Sequence, residues 1–227
     1  MPFTLPLKLP AKVAAFQPPT WTRWVVHFAC ALVIIIPVAV IASDILRGTR
    51  FLGSNPIKEG EHLLGEWTLR MLMITLFVTP VRQLTGWNWL QKYRRIFGVW
   101  AFVIGCTHLL AWAGLDVEFD WGDIQADLMK RWYIIIGMTA WVLMLPLVVT
   151  STAGMVKRVG KKWVPLHRLI YVTVVLGCIH FFMAVKKDYD DALMFAALFA
   201  VLFAWRIYMT MRKRAAAVAR PTARAAA

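Results

Sequence analysis

The chain has 227 residues, of which 60% are hydrophobic and 17% charged, and its mean hydropathy is +0.61. Soluble domains usually carry about 45–50% apolar and about 25% charged residues, so the composition argues against a soluble enzyme and excludes two soluble domains of ordinary size. The three cysteines lie in apolar runs without a CxxC or CxxCH pair, which excludes a disulfide-built secreted module. A net charge of +14 would suggest nucleic acid for a soluble chain, but in a membrane chain its distribution matters more, and we predict no nucleic-acid partner.

Six segments are long and apolar enough to be transmembrane helices. A helix needs roughly 20 mostly apolar residues to cross a bilayer core of about 30 Å. Their apolar runs are continuous and do not alternate with polar residues, which favours helices over the strands of a barrel. In chain order the segments are 24–45, 63–81, 96–115, 132–150, 166–185 and 192–211. We therefore predict an all-α membrane protein built as a bundle of six transmembrane helices.

The charged residues of the connections predict the orientation of the bundle. One set of connections contains only basic residues, among them Lys92, Arg94 and Arg95 between the second and third segments, whereas all twelve acidic residues lie on the opposite side. The positive-inside rule then places both termini in the cytoplasm. We predict a cytoplasmic N-terminal segment over 1–23, one transmembrane domain over 24–211, and a disordered cytoplasmic tail over 212–227.

Histidines inside apolar segments are the strongest candidates for function, because ionisable groups in a membrane are costly. The five histidines are His27, His62, His108, His167 and His180. His108 and His180 lie near the outer ends of the third and fifth segments, which run in the same direction, so their rings are expected at a similar depth. Two imidazoles at one depth on facing helices are what axial ligation of a b-type heme requires.

His167 predicts a second site on the inner side. It stands 13 residues before His180, or about 20 Å along a helix, and the two side chains point about 140° apart on an ideal helix. Stacked sites would therefore need a tilt or a local distortion near Pro165. Fourteen residues before His108 on the third segment stands Arg94, so the partner of His167 at that position is not a histidine.

Each of these residues also has an ordinary structural explanation. A single membrane histidine is more often a hydrogen-bonding residue between helices, and His167 could be an interfacial residue beside a basic loop. For His27 and His62 we expect structural hydrogen bonds or contacts with the edge of a cofactor. Arg70 has Glu66 at i−4, which fits either an ordinary ion pair or a partnership of Arg70 with a heme propionate.

Several short stretches together resemble the MsrQ family of bacterial inner-membrane proteins, over about residues 20 to 212. That family belongs to the ferric-reductase-like transmembrane superfamily, which includes the NADPH oxidases. Each stretch is weak alone, and the combination is specific. The stretches are NPIKEGEH at 55–62, TLFVTP at 75–80, RRIFGVW at 94–100, THL at 107–109, TSTAGM at 150–155, GKKWVPLHRLIY at 160–171 and IHF at 179–181.

The resemblance implies a multi-pass protein of the bacterial inner membrane that contains one or two b-type hemes and passes electrons across the membrane. Carried over by position, its heme histidines are His108, His167 and His180. The implied partner is MsrP, a periplasmic molybdopterin-dependent reductase that repairs methionine sulfoxide, so this chain would be an electron-transfer subunit without catalytic residues of its own. The family is also described as using FMN, for which no residue can be assigned.

The sequence contains no recognisable nicotinamide-binding segment, so the expected electron donor is the quinol pool or a separate flavin reductase. Inside the membrane, electrons would pass from an inner carrier, either FMN or a heme near His167, to the outer heme. Two other functions fit the sequence. One is a cytochrome b anchor subunit of a respiratory quinone oxidoreductase, and the other is a small transporter with histidines as proton relays. The basic loops mainly set the topology, and they could also bind anionic lipid.

Overall fold

The computed structural model describes residues 17–185 and 189–218, and within these residues it is helical without a β-strand. Most of the predicted N-terminal segment (1–16), part of the turn predicted between the last two spans (186–188) and the end of the predicted tail (219–227) lie outside the described residues. The helices are α1 (Trp21–Arg47), α2 (Pro56–Thr85), α3 (Leu90–Ala111), α4 (Trp121–Lys130), α5 (Trp132–Val149), α6 (Ala153–Val159), α7 (Trp163–Leu166), α8 (Leu169–Ala184) and α9 (Asp190–Val218).

Five of the described helices are individually long and apolar enough to span a membrane: α1, α2, α3 with its π-helical continuation to Asp116, α5 and α9. The sixth span is completed by α8, which has only 16 residues. It follows the helical stretch Ala153–Leu166 with a bend of 53°. The prediction of an all-α membrane bundle is confirmed, and the fifth predicted segment is a bent element, broken just after Pro165.

The structure differs from the prediction at α9 and in the outer loop. Helix α9 continues to Val218, so the part of the predicted disordered tail over 212–218 is helical. Alanine and arginine are strong helix formers, and they extend the helix without an apolar face to bury. The amphipathic helix α4 is an addition, and it begins where the Asp120 side chain accepts a hydrogen bond from the backbone N–H of Asp123.

Helix α2 is the central element of the bundle. Half of its most apolar stretch is buried, compared with 17–22% for α1, α3, α5 and α9. Leu64 and Leu76 on α2 are almost completely buried, as is Ile104 on α3. The most extensive helix contacts are between α2 and α3 and between α5 and α8. Helix α3, which carries His108, therefore packs against α2, and helix α8, which carries His180, packs against α5.

The buried carboxylate of Asp44 ties the end of α1 to the loop that leads to α2. Its Oδ1 accepts hydrogen bonds from the Thr49 hydroxyl at 2.5 Å and the Phe51 N–H at 3.1 Å, and its Oδ2 accepts from the Leu52 N–H at 2.8 Å. Asp44 is 5% exposed, so these bonds are largely protected from water. The side chain therefore fixes the path of the chain between the first two spans.

We predict that Asp44→Ala lowers the apparent Tm of the detergent-purified protein, because two partly buried hydrogen bonds to backbone N–H groups are lost, at about 1 kcal/mol each. Asp44→Asn keeps one acceptor oxygen, so its apparent Tm should lie between that of Asp44→Ala and that of the original chain. An unchanged Tm for Asp44→Ala would show that the hydrogen bonds of Asp44 do not contribute to stability.

Candidate functional site

His108 lies on α3 with its ring against α2. Its Nδ1 is 2.9 Å from the backbone carbonyl oxygen of Glu61. One helical turn further along α2, Gly65 leaves room for the ring, because a Cβ added there would lie 3.2 Å from the His108 Cε1. The carbonyl fixes the direction of the imidazole, and the glycine lets it approach the backbone of α2.

His180 has the same arrangement on the second helix pair. Its Nδ1 is 2.7 Å from the carbonyl oxygen of Tyr133 on α5. Gly137 stands one turn later, and a Cβ at this position would lie only 2.7 Å from the His180 Nδ1, a distance that real Cβ atoms essentially never show. Both histidines therefore combine a carbonyl acceptor with a glycine four residues after it.

The two imidazoles face each other, as the matching depths predict. Their ring centroids are 6.3 Å apart, and the ring planes make an angle of 76°. Imidazole nitrogens bind first-row metals at about 2.0–2.1 Å, so two rings on opposite sides of one metal have centroids about 6–6.5 Å apart. Each Nδ1 is engaged with a carbonyl, which leaves each Nε2 as the ligating nitrogen. The separation of the ring centroids therefore agrees with one metal ion held between the two Nε2 atoms.

The surroundings of the pair favour a metal that brings its own equatorial ligands. Among the described residues, no group of three or more His, Cys, Asp or Glu side chains could hold a metal. A protein-only zinc site usually needs three or four such ligands. A heme needs only axial ligands from the protein, because the macrocycle supplies the other four. The residues present therefore fit a heme, which His108 and His180 would hold through their Nε2 atoms.

His167 lies at the break between α7 and α8, near the basic end of the bundle. Its ring stacks on Trp163 with centroids 3.9 Å apart, and its Nδ1 is 3.2 Å from the Trp163 carbonyl oxygen. Its Nε2 is buried and has no hydrogen-bond partner within the described part of the chain. The ring contact described for His167 is with tryptophan, so no second histidine pair forms here. The free Nε2 is a potential ligand atom, and the role of His167 as a ligand stays a prediction.

Arg70 forms the ion pair that its spacing to Glu66 predicts, with Nη2 2.7 Å from Oε2. Its guanidinium also lies 5.2 Å from the ring centre of Trp67 and 5.7 Å from that of Phe195 on α9. The ordinary i,i+4 pair is therefore present, and a partnership of Arg70 with a heme propionate stays a prediction.

The remaining two histidines, His27 and His62, are not members of the facing pair. His27 accepts a hydrogen bond from the indole N–H of Trp100 at 2.9 Å, which joins α1 to α3 as a structural contact. His62 is exposed on α2, and it lies within electrostatic range of both His108 and His180. His27 takes no part in the site as the structure describes it, and a contact of His62 with the edge of a cofactor stays a prediction.

Two glycines and two carbonyl groups complete the site and were not predicted from the sequence. Gly65 and Gly137 are ordinary glycines in the sequence, and a carbonyl group has no side-chain signal. Each glycine lies on a different helix from the histidine that it accommodates. Finding them requires knowledge of which helices are neighbours.

The helix bundle and the pair of histidines agree with the resemblance that the sequence motifs carry. Residues 64–178 match the family described as "Ferric reductase like transmembrane component". The class of this chain is therefore a membrane protein of that family.

Similar proteins define the family more narrowly. A relative from Rhodospirillum rubrum is 46% identical over 182 residues, which cover 78% of this chain and 88% of the relative. Relatives from Xanthomonas campestris pv. campestris (41% over 168 residues, 74% and 77% covered) and Xanthomonas axonopodis pv. citri (40% over 175 residues, 77% and 80%) are similar. All three are named protein-methionine-sulfoxide reductase heme-binding subunit MsrQ. The chain belongs to the MsrQ family.

We predict that Gly137→Ala displaces the His180 ring and lowers the amount of heme bound per purified chain, because the new methyl group would occupy the position of the imidazole. Changes in the groups that orient metal ligands typically cost about 10–100-fold in affinity. Gly65→Ala should lower the heme content less, because its Cβ would lie 3.2 Å from the His108 ring, compared with 2.7 Å at Gly137. Gly98→Ala is the matched control, because its Cβ would meet Thr75 at an ordinary 3.7 Å. Equal heme content in Gly137→Ala and Gly98→Ala would contradict the role of the glycine.

Proposed function

We propose that this chain binds a b-type heme between His108 and His180 and transfers electrons across the membrane to a periplasmic methionine sulfoxide reductase subunit. The observation that carries this proposal is the pair of imidazoles 6.3 Å apart, each oriented by a carbonyl. The names of the relatives support both the heme and the repair system. Reduction of the sulfoxide would take place on the partner, and this chain would be the electron-transfer subunit.

The histidines and their acceptors would hold the heme iron in a defined electronic environment. A bound heme supplies a one-electron carrier whose potential depends on its axial ligands and surroundings. Donation from each Nδ1–H to a carbonyl fixes the tautomer, so that Nε2 carries the lone pair for the metal. The same hydrogen bonds make the imidazoles more basic, which strengthens them as ligands.

Buried apolar side chains on the same helices would exclude water from the site. Leu64 precedes Gly65 on α2, Ile104 lies one turn before His108 on α3, and Val174 lies on α8 before His180. All three are fully buried. A dry and rigid environment reduces the rearrangement that accompanies a change of charge, which suits an electron carrier.

The inner half of the proposed path would use His167. Its buried Nε2 has no hydrogen-bond partner among the described residues, and it lies at the basic end, where electrons from a cytoplasmic donor would arrive. We propose that an inner carrier, FMN or a second heme, binds beside it and accepts electrons from quinol or a flavin reductase. The acceptor on the acidic side would be the molybdopterin-dependent subunit MsrP. The relatives' names favour this repair system over a respiratory cytochrome b anchor or a proton-relay transporter.

We predict that His108→Ala and His180→Ala each remove most of the heme held by this pair, measured as heme per chain after purification in detergent. Each substitution removes one of the two proposed ligands and leaves a buried cavity where the imidazole was. His27→Ala is the control, because the His27 ring is hydrogen-bonded to Trp100 and not to either member of the pair. Full heme content in either of the first two variants would refute the ligand assignment.

We also predict that a purified periplasmic methionine sulfoxide reductase subunit, supplied with methionine sulfoxide, rapidly reoxidises the heme of the reduced protein. The measurement is the change of the Soret absorption after reduction by dithionite and removal of its excess. Reoxidation by a quinone analogue combined with no response to the reductase subunit would instead establish the respiratory anchor.

A further inference from the structure

Three arginines from three different spans come together at the basic end of the bundle. They are Arg82 in the last turn of α2, Arg94 near the start of α3 and Arg206 on α9. Arg206 hydrogen-bonds to Thr79, which lies one turn before Arg82 on α2. Arg94 is within electrostatic range of both arginines. All three are partly buried, so solvent only partly screens the repulsion between their charges. Such a cluster is costly unless an anion neutralises it.

Arg206 is held inside the bundle. Its Nη2 donates a hydrogen bond to the hydroxyl of Thr79 on α2 at 2.9 Å, and Thr79 is only 9% exposed. The guanidinium also lies 5.5 Å from the ring centre of Tyr171 on α8. Arginines that only set topology extend into water at the membrane surface. The contacts of Arg206 instead lie inside the bundle, between α2, α8 and α9.

The described residues provide no carboxylate for this cluster. The ion pairs that they form are Arg70–Glu66 and Arg131–Asp127, and neither involves the three arginines. The Nε of Arg82 is buried without a hydrogen-bond partner in the same part of the chain. Buried charged groups in proteins are normally paired, so these observations favour a partner other than the described residues. Residues 1–16 and 219–227, which the structure does not describe, contain no Asp or Glu.

The cluster lies next to the inner histidine. Arg94 is within electrostatic range of His167, whose Nε2 is also buried and unpartnered. A potential ligand atom and a group of cationic donors therefore adjoin each other at the end where electrons would enter. The exposed Arg95 beside Arg94 has the surroundings of an ordinary topology charge, so the sequence alone does not separate the two kinds of arginine.

We propose that Arg82, Arg94 and Arg206 form an anion-binding site that holds the acidic group of the inner electron carrier. The ligand chemistry is a phosphate or carboxylate group, either the phosphate of FMN or a propionate of a second heme. Guanidinium groups bind both with short, charge-assisted hydrogen bonds. This inference rests on the proposed function, which requires an inner carrier, and it assigns that carrier to residues on α2, α3 and α9.

The test uses the full chain purified in detergent, with Arg206→Gln and Arg82→Gln as variants and Arg95→Gln as the matched control. Arg95→Gln removes one positive charge from an exposed position on the same basic side. Flavin and heme are quantified per chain, and FMN and riboflavin are titrated separately by quenching of flavin fluorescence. Riboflavin lacks the phosphate, so the ratio of the two affinities reports contacts with the phosphate alone.

If FMN is the occupant, the original chain binds FMN about ten-fold or more tightly than riboflavin, and both cluster variants lose this preference. If a second heme is the occupant, heme per chain falls in both variants, while heme held by His108 and His180 remains. Arg95→Gln should match the original chain in either case.

Unchanged flavin and heme contents in both cluster variants, without a preference for FMN in the original chain, would overturn the anion site. Heme at the His108–His180 pair serves as the check of folding in each variant. Its presence also separates the two hypotheses: if the original chain binds no heme at that pair, the proposed function fails, whereas an outer heme with unaffected inner contents refutes only the arginine site.

Discussion

Two backbone carbonyl groups determine where the imidazoles of His108 and His180 lie. Each accepts a hydrogen bond from Nδ1, and each belongs to a helix that packs against the helix of the histidine. The distance between the rings therefore depends on two helix–helix interfaces, α2 with α3 and α5 with α8. Gly65 and Gly137 allow the close approach that these bonds require. A change in either interface would alter the separation of the rings and hence their ability to share one metal.

The acidic and the basic residues of the chain lie toward opposite ends of the helix bundle. The acidic residues lie toward the end that carries the facing histidines, and the basic connections lie toward the end that carries His167. This arrangement satisfies the positive-inside rule, and at the basic end it also concentrates arginines that the described carboxylates do not neutralise. Some of these basic residues therefore set the topology of the protein, and others are proposed to bind a cofactor. Arg95 is exposed and sets topology, whereas Arg206 is held inside by Thr79.

Much of the fold and half of the site could be predicted from the sequence, because both follow from short-range patterns. Runs of about 20 apolar residues predict spans, and the positions of His108 and His180 along two parallel helices predict their common depth. Helix α4 has no long apolar run and was missed. Gly137 and the convergence of Arg82 with Arg206 depend on which helices are neighbours, and a single sequence does not contain this information directly. The sequence indicates only that stacked sites would need a tilt or a local distortion near Pro165, and the break with its bend of 53° came from the structure.

The most direct test of the central claim is the electron paramagnetic resonance spectrum of the oxidised, detergent-purified chain together with its two histidine variants. Two strong imidazole ligands on one ferric heme enforce a low-spin state, so we predict a low-spin signal that disappears in both His108→Ala and His180→Ala and is replaced by a high-spin signal or by loss of heme. The same low-spin signal in either variant would show that His108 and His180 do not share an iron atom.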